Sequence, residues 1–104
     1  MFDSIEANEV IKINQDGLEA MMHGLKSNGF FYTLTLKDSS KVERLKDTNK
    51  LKFSFKNSDL ITGEAEIIEN KDLVKELFNK MLELNFTHFK IFNDNLVIFK
   101  IKEI

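Results

Sequence analysis

The sequence predicts a mainly β fold, a small closed or half-open β-barrel of about six strands with two flanking helices. Three observations carry that prediction. Asp16-Gly17 and Asn28-Gly29 are tight-turn dipeptides set between alternating apolar runs, the pattern of an antiparallel meander. Further alternating runs follow at "KLKFSF", "LITGEAEII" and "LVIFKIKEI". Only one stretch, from Asn70 onward, keeps helical spacing over several turns.

In order along the chain, "EVIKI" is the first strand, with Ile11 and Ile13 on one face, and it stops at "NQDG". "LEAMMHGL" is the second, with Leu18, Ala20 and Met22 alternating. "FFYTLTL" is the third and clearest, with Phe30, Tyr32 and Leu34 on one face and Phe31, Thr33 and Thr35 on the other. The period then changes. Ser40 and Glu43 have the S-x-x-E spacing of a capping box, and Val42 and Leu45 can share the inner face of a short helix. "KLKFSFKN" returns to alternation, with Leu51, Phe53 and Phe55 inward.

"DLITGEAEII" is the next strand, with Ile61, Gly63, Ala65 and Ile67 on one face; the small pair admits a bulky neighbour or marks a bulge. Leu73, Val74, Leu77, Phe78, Met81 and Leu82 make one apolar helical stripe, with Asn70 as N-cap. "FTHFKIF" reads as a short strand or an extended segment, and "LVIFKIKEI" as the last strand, with Val97, Phe99 and Ile101 on one side.

Composition bounds the function. The 104 residues suit one domain, residues 1–104, and 42% hydrophobic with 31% charged residues is a globular balance. Lysines and acids are mixed, the formal charge is −2, and no basic stripe is present, so nucleic acid is not an expected partner. Absence of cysteine excludes disulfides, thiolate metal sites and cysteine nucleophiles. No apolar run approaches the roughly 20 residues of a membrane helix, and "MFDSIEANEV" lacks the regions of a signal peptide, so a cytoplasmic location away from membranes is expected.

Common catalytic signatures are absent: no G-x-G-x-x-G, no Walker loop, no H-E-x-x-H and no G-x-S-x-G. His23 and His88 lie 65 positions apart, without ligand-like spacing. The stretch that asks for an explanation is "TLKDSSKVERL". It ends a strand in Thr35 and then places Ser39, Ser40 and Lys41 where a helix begins. Two readings stay open: a plainly capped helix, or a phosphate held by backbone N–H groups, hydroxyls and the lysine ammonium.

The order of strand, D-G turn, strand, N-G turn, strand ending in Thr35, then "DSSKVERLKDTNKLKFSF" and "LITGEAEII", resembles the split β-barrel of the pyridoxamine 5′-phosphate oxidase-like proteins. The resemblance runs from about Glu9 to Leu82 and resumes at "NLVIFKIKEI"; its most specific part carries Thr35, Ser39, Ser40, Lys41, Val42, Leu45 and Asn49. It implies a homodimer binding FMN at the subunit interface. Lys41 would hold the phosphate with Ser39 or Ser40 and Thr35, the ring would lie along the second and third strands beside Met22 and His23, and oxidoreductase chemistry would belong to the flavin.

The chain departs from the family pattern at Ser40, where an arginine is common, and at "AMMHG", where an arginine and a proline are usual. These departures leave room for a cofactor-free barrel that works through partners. A haem- or deazaflavin-binding relative is a further alternative, with His23 as its handle.

Overall fold

In a computed structural model, which describes residues 2, 4–55 and 58–104, the strands are β1 (Ile5–Gln15), β2 (Leu18–Ser27), β3 (Phe30–Leu36), β4 (Lys50–Ser54), β5 (Ile61–Ile68) and β6 (Leu96–Glu103). They close in the order β1-β2-β3-β6-β5-β4, with antiparallel neighbours throughout. Two helices accompany them, α1 (Ser40–Arg44) and α2 (Lys71–Glu83). The predicted barrel is therefore present, and it is closed. Closure gives every strand two neighbours and so shortens the free sheet edges that a small β protein otherwise exposes.

Both predicted hairpins form for the expected reason. Asp16 and Gly17 have φ of 52° and 91°, and Asn28 and Gly29 have 54° and 84°, the left-handed pair that a two-residue turn needs between twisted strands. The strand alternation then sorts the apolar residues into two cores. The barrel interior receives Ile11, Ile13, Met22, Phe31, Leu51, Phe53, Ala65, Phe99 and Ile101, so all six strands contribute. The opposite faces of β2, β3 and β6 send out Leu25, Tyr32, Leu34, Leu96 and Ile98, which α2 covers with Val74, Leu77, Phe78 and Met81.

Helix α2 starts at Asn70, whose side-chain oxygen accepts from the N–H groups of Asp72 and Leu73 at 3.0 and 3.2 Å. The apolar stripe is narrower than its sequence, because Leu82 lies at the edge of the buried face and is exposed. "FTHFKIF" forms no strand; it is irregular, bending at His88 and Ile91, with the Thr87 hydroxyl bonded to the Phe89 backbone. Phe86, Phe89 and Phe92 pack on the outer core. Ala65 and Gly63 fit the first of the two sequence readings. The bulky neighbour is the Phe53 ring, and the β5 register runs without a bulge. The end of "KLKFSFKN" at Lys56 and Asn57 lies outside the described residues.

The capping box is overturned. The N-cap of α1 is Ser39, its hydroxyl makes no capping bond, and Glu43 turns its carboxylate to Lys46 at 3.1 Å. The Ser39 hydroxyl instead meets the Thr35 hydroxyl at 3.2 Å, because the short β3–α1 turn brings the strand end beneath the helix start. Helix α1 is pinned to the end of the barrel by β1. Gln15 Nε2 donates to the Lys41 carbonyl at 3.0 Å, and Arg44 donates to the Gln15 carbonyl at 3.2 Å.

Candidate functional site

Strands β2 and β3 are paired only where Gly24 to Ser27 faces Phe30 to Thr33. Beyond Gly24 and Thr33 they separate, β2 remaining on β1 and β3 on β6. Among the described residues, the facing edges of Leu18–His23 and Leu34–Leu36 find no other strand. Such an edge presents unpaired main-chain N–H and C=O groups, which a planar ligand with donors and acceptors can satisfy.

A cavity of about 280 Å³ opens in this split. Its walls are Met21, Met22 and His23 from β2 and Leu34, Thr35 and Leu36 from β3. Ser39 and Lys41 come from the β3–α1 region, Met81 from α2, and His88 and Phe89 from the segment after α2. Because the gap passes through the barrel wall, it meets both cores: Met22 belongs to the interior and Met81 to the outer layer.

One end is polar. The Thr35–Ser39 hydroxyl pair lies beside Lys41, whose backbone is fixed through Gln15. Lys41 enters no ion pair among the described residues, so its ammonium is available to a ligand. At the other side the His23 ring packs edge-on against Phe86, with centroids 4.7 Å apart, and the His88 ring against Phe89 at 5.2 Å. Burial, followed by the charges of His88 and Lys90, holds the pKa of His23 below its ordinary value. Every ionisable residue lining the cavity is basic, in a chain whose acids outnumber its lysines and arginines. That segregation favours an anionic ligand.

The sequence-predicted site residues divide cleanly. Thr35, Ser39, Lys41, Met22 and His23 line one cavity. Ser40 does not; it is exposed and faces a surface groove with Glu43, Arg44, Lys46 and Asp47. Helix α1 is also only five residues long, so a macrodipole contributes little and the side chains must make the cradle. Leu34, Met81, His88 and Phe89 were not predicted as site residues. His88 had no local signal, since its 65-residue separation from His23 is closed only by the fold.

Comparison with solved structures gives the same architecture twice. A Listeria innocua protein assigned as a pyridoxamine 5′-phosphate oxidase superposes with a TM-score of 0.68 at 16% identity, over 92% of this chain and 82% of that one. General Stress Protein 26 from Bacillus anthracis superposes with a TM-score of 0.69 at 18% identity, over 95% of this chain and 82% of that one.

The chain has the split-barrel fold of the pyridoxamine 5′-phosphate oxidase-like proteins. No family model matches the sequence, and no curated protein matches it. Among the described residues no helix is long and apolar enough to cross a membrane.

Proposed function

We propose that this chain is a small FMN-binding split-barrel protein of the pyridoxamine 5′-phosphate oxidase-like family, a cytoplasmic homodimer with flavin-dependent oxidoreductase-like activity on a small molecule. One observation carries the reading: the split between β2 and β3 gathers a hydroxyl pair and a lysine into a cavity whose other walls are apolar side chains and two histidines. Thr35, Ser39 and Lys41 suit a phosphate, since a hydroxyl and an ammonium both donate to its oxygens. Met22, Leu34, Met81 and Phe89 suit a flat aromatic ring, with thioethers that adapt to its faces. When bound, the flavin supplies the hydride or electron transfer. The residues of this chain bind it, orient it and shield it from water.

The cavity is open to solvent on one side, whereas ligand sites bury most of the ligand surface. A second protomer over the opening would complete the enclosure.

The experiment is FMN uptake by Lys41→Ala. Loss of a charge-assisted hydrogen bond worth about 1.5–3 kcal/mol weakens binding roughly 10- to 150-fold while the melting temperature stays near that of the parent chain. Unchanged FMN affinity would remove Lys41 from the site. A second reading, the same barrel without cofactor, is favoured by the outward position of Ser40 and by the small cavity; colourless protein that takes up no flavin supports it. A haem or deazaflavin ligand at His23 would be recognised by its own absorbance spectrum.

A further inference from the structure

The two tight turns share a backbone conformation and differ in their surroundings. In Asp16-Gly17 the glycine N–H is tied to the Asn14 side-chain oxygen at 3.1 Å. In Asn28-Gly29, among the described residues, neither the glycine N–H nor the Asn28 carboxamide makes a hydrogen bond. Both residues of this second turn are exposed, and no atom lies within 4 Å of the place where a Gly29 Cβ would stand. Asn28 is also the only asparagine in the chain that a glycine follows.

These are the requirements for an asparagine to react with its own backbone. The Gly29 nitrogen gives its proton to hydroxide and attacks Cγ of Asn28. A C–N bond forms, ammonia leaves, and a cyclic succinimide results. Water then opens the ring at either of its two carbonyls, giving aspartate or isoaspartate. One water is consumed for each ammonia released, and nothing is oxidised or reduced. Glycine favours the closure because it has no side chain to crowd the ring. Closure turns Asn28 out of its left-handed conformation, φ 54°, so it proceeds during brief openings of the exposed hairpin tip.

The turn accepts one product and not the other. Asp16 holds φ of 52° at the corresponding position of the first turn, so aspartate fits. Isoaspartate carries the chain through the former side chain and adds one carbon to the backbone. A two-residue turn then no longer matches the register of its strands. Strands β2 and β3 are held together only by the pairs from Ser27↔Phe30 to Gly24↔Thr33. Those pairs stand between the turn and the cavity, and they fix where the split begins.

We propose that Asn28 is a site of spontaneous covalent modification, deamidating to aspartate and isoaspartate, and that the isoaspartate form loosens the β2–β3 pairs that bound the cavity. The reaction needs no flavin, so it is independent of the FMN reading.

The test is to hold the full chain at mildly alkaline pH, well below its melting temperature, and to follow its peptides by mass spectrometry. A protein isoaspartate methyltransferase labels the isoaspartate. The expected result is deamidation at Asn28 ahead of every other asparagine, with isoaspartate as well as aspartate there and no isoaspartate at Asp16. In the isoaspartate fraction, the backbone amides of Gly24–Ser27 and Phe30–Thr33 exchange hydrogen several-fold faster than in the fresh chain.

Two variants separate the products. Asn28→Asp supplies the aspartate form alone and exchanges like the fresh parent. Asn28→Gly keeps a turn-forming pair without a carboxamide, so incubation leaves its exchange unchanged. Three results would each overturn the proposal: another asparagine reacting before Asn28, aspartate forming there without isoaspartate, or unaltered exchange in the isoaspartate fraction.

Discussion

Replacing Gly63 by alanine tests how the barrel interior is packed. A Cβ at Gly63 would stand 2.7 Å from Phe53 Cε1 and 3.0 Å from the Lys102 carbonyl oxygen. Carbon atoms rest at about 3.5–4.0 Å, so the ring must retreat by roughly an ångström. It has no slack. Phe53 is fully buried, with the rings of Phe31 and Phe55 at 5.9 and 5.8 Å between centroids. Overpacking of this kind costs about 1–3 kcal/mol, offset by about 0.5–1 kcal/mol from the backbone freedom that alanine does not lose. The net loss lies within about 0–2.5 kcal/mol and centres on about 1.25 kcal/mol, which lowers the melting temperature by roughly 5–10 °C in a domain of this size.

Thermal denaturation followed by circular dichroism measures it. Gly24→Ala is the control: its Cβ meets the end methyl of Ile11, a flexible group that can turn away, so the loss is smaller. Combining Gly63→Ala with Phe53→Leu should cost less than the sum of the two single changes, because the second removes the ring that the first strikes. A Gly63→Ala chain that melts at or above the parent temperature would refute the packing argument.

Other outcomes follow from single contacts. Asn70→Ala removes the acceptor of two helix N–H groups and costs about 1 kcal/mol in urea denaturation, while Asn70→Asp retains most of it. For His23, burial and then the charges of His88 and Lys90 depress the folded-state pKa below the ordinary 6.5. The unfolded chain therefore binds more protons, so this contribution to stability is intact above that value and is lost as the pH falls below it. The melting temperature should drop more steeply between about pH 7.5 and pH 5.5 in the parent than in His23→Gln, and parallel profiles would contradict the assignment.

The parts of the fold governed by local chemistry were legible in the sequence. Asp16-Gly17 and Asn28-Gly29 impose their turns through positive φ, and Asn70 caps α2 through its own side chain. Strand β1 is longer than "EVIKI" because its first half, "IEAN", is held by β2 across a register shift between Ile5 and Ala7, with little apolar burial to mark it. The Ser40–Glu43 spacing misled because a side chain chooses among partners in space. Ser39 became the N-cap, and its hydroxyl found Thr35.

The same distinction divides the site. Thr35, Ser39 and Lys41 lie within one short run and could be grouped by eye. Met81, His88 and Phe89 reach the cavity through the docking of α2 and the chain that follows it, which no local pattern encodes. A split barrel was expected from the family resemblance, but strand alternation does not show where β2 and β3 part, since "LEAMMHGL" and "FFYTLTL" alternate alike along paired and unpaired lengths.

Titration of dialysed protein with FMN and with riboflavin, followed by flavin fluorescence, tests the proposed function most directly. The two ligands share the ring and differ at the phosphate. If Thr35, Ser39 and Lys41 hold that phosphate, FMN binds much more tightly than riboflavin, and Lys41→Ala narrows the difference. Equal affinity for the two, or no uptake of either, would contradict a flavin phosphate site in the barrel split.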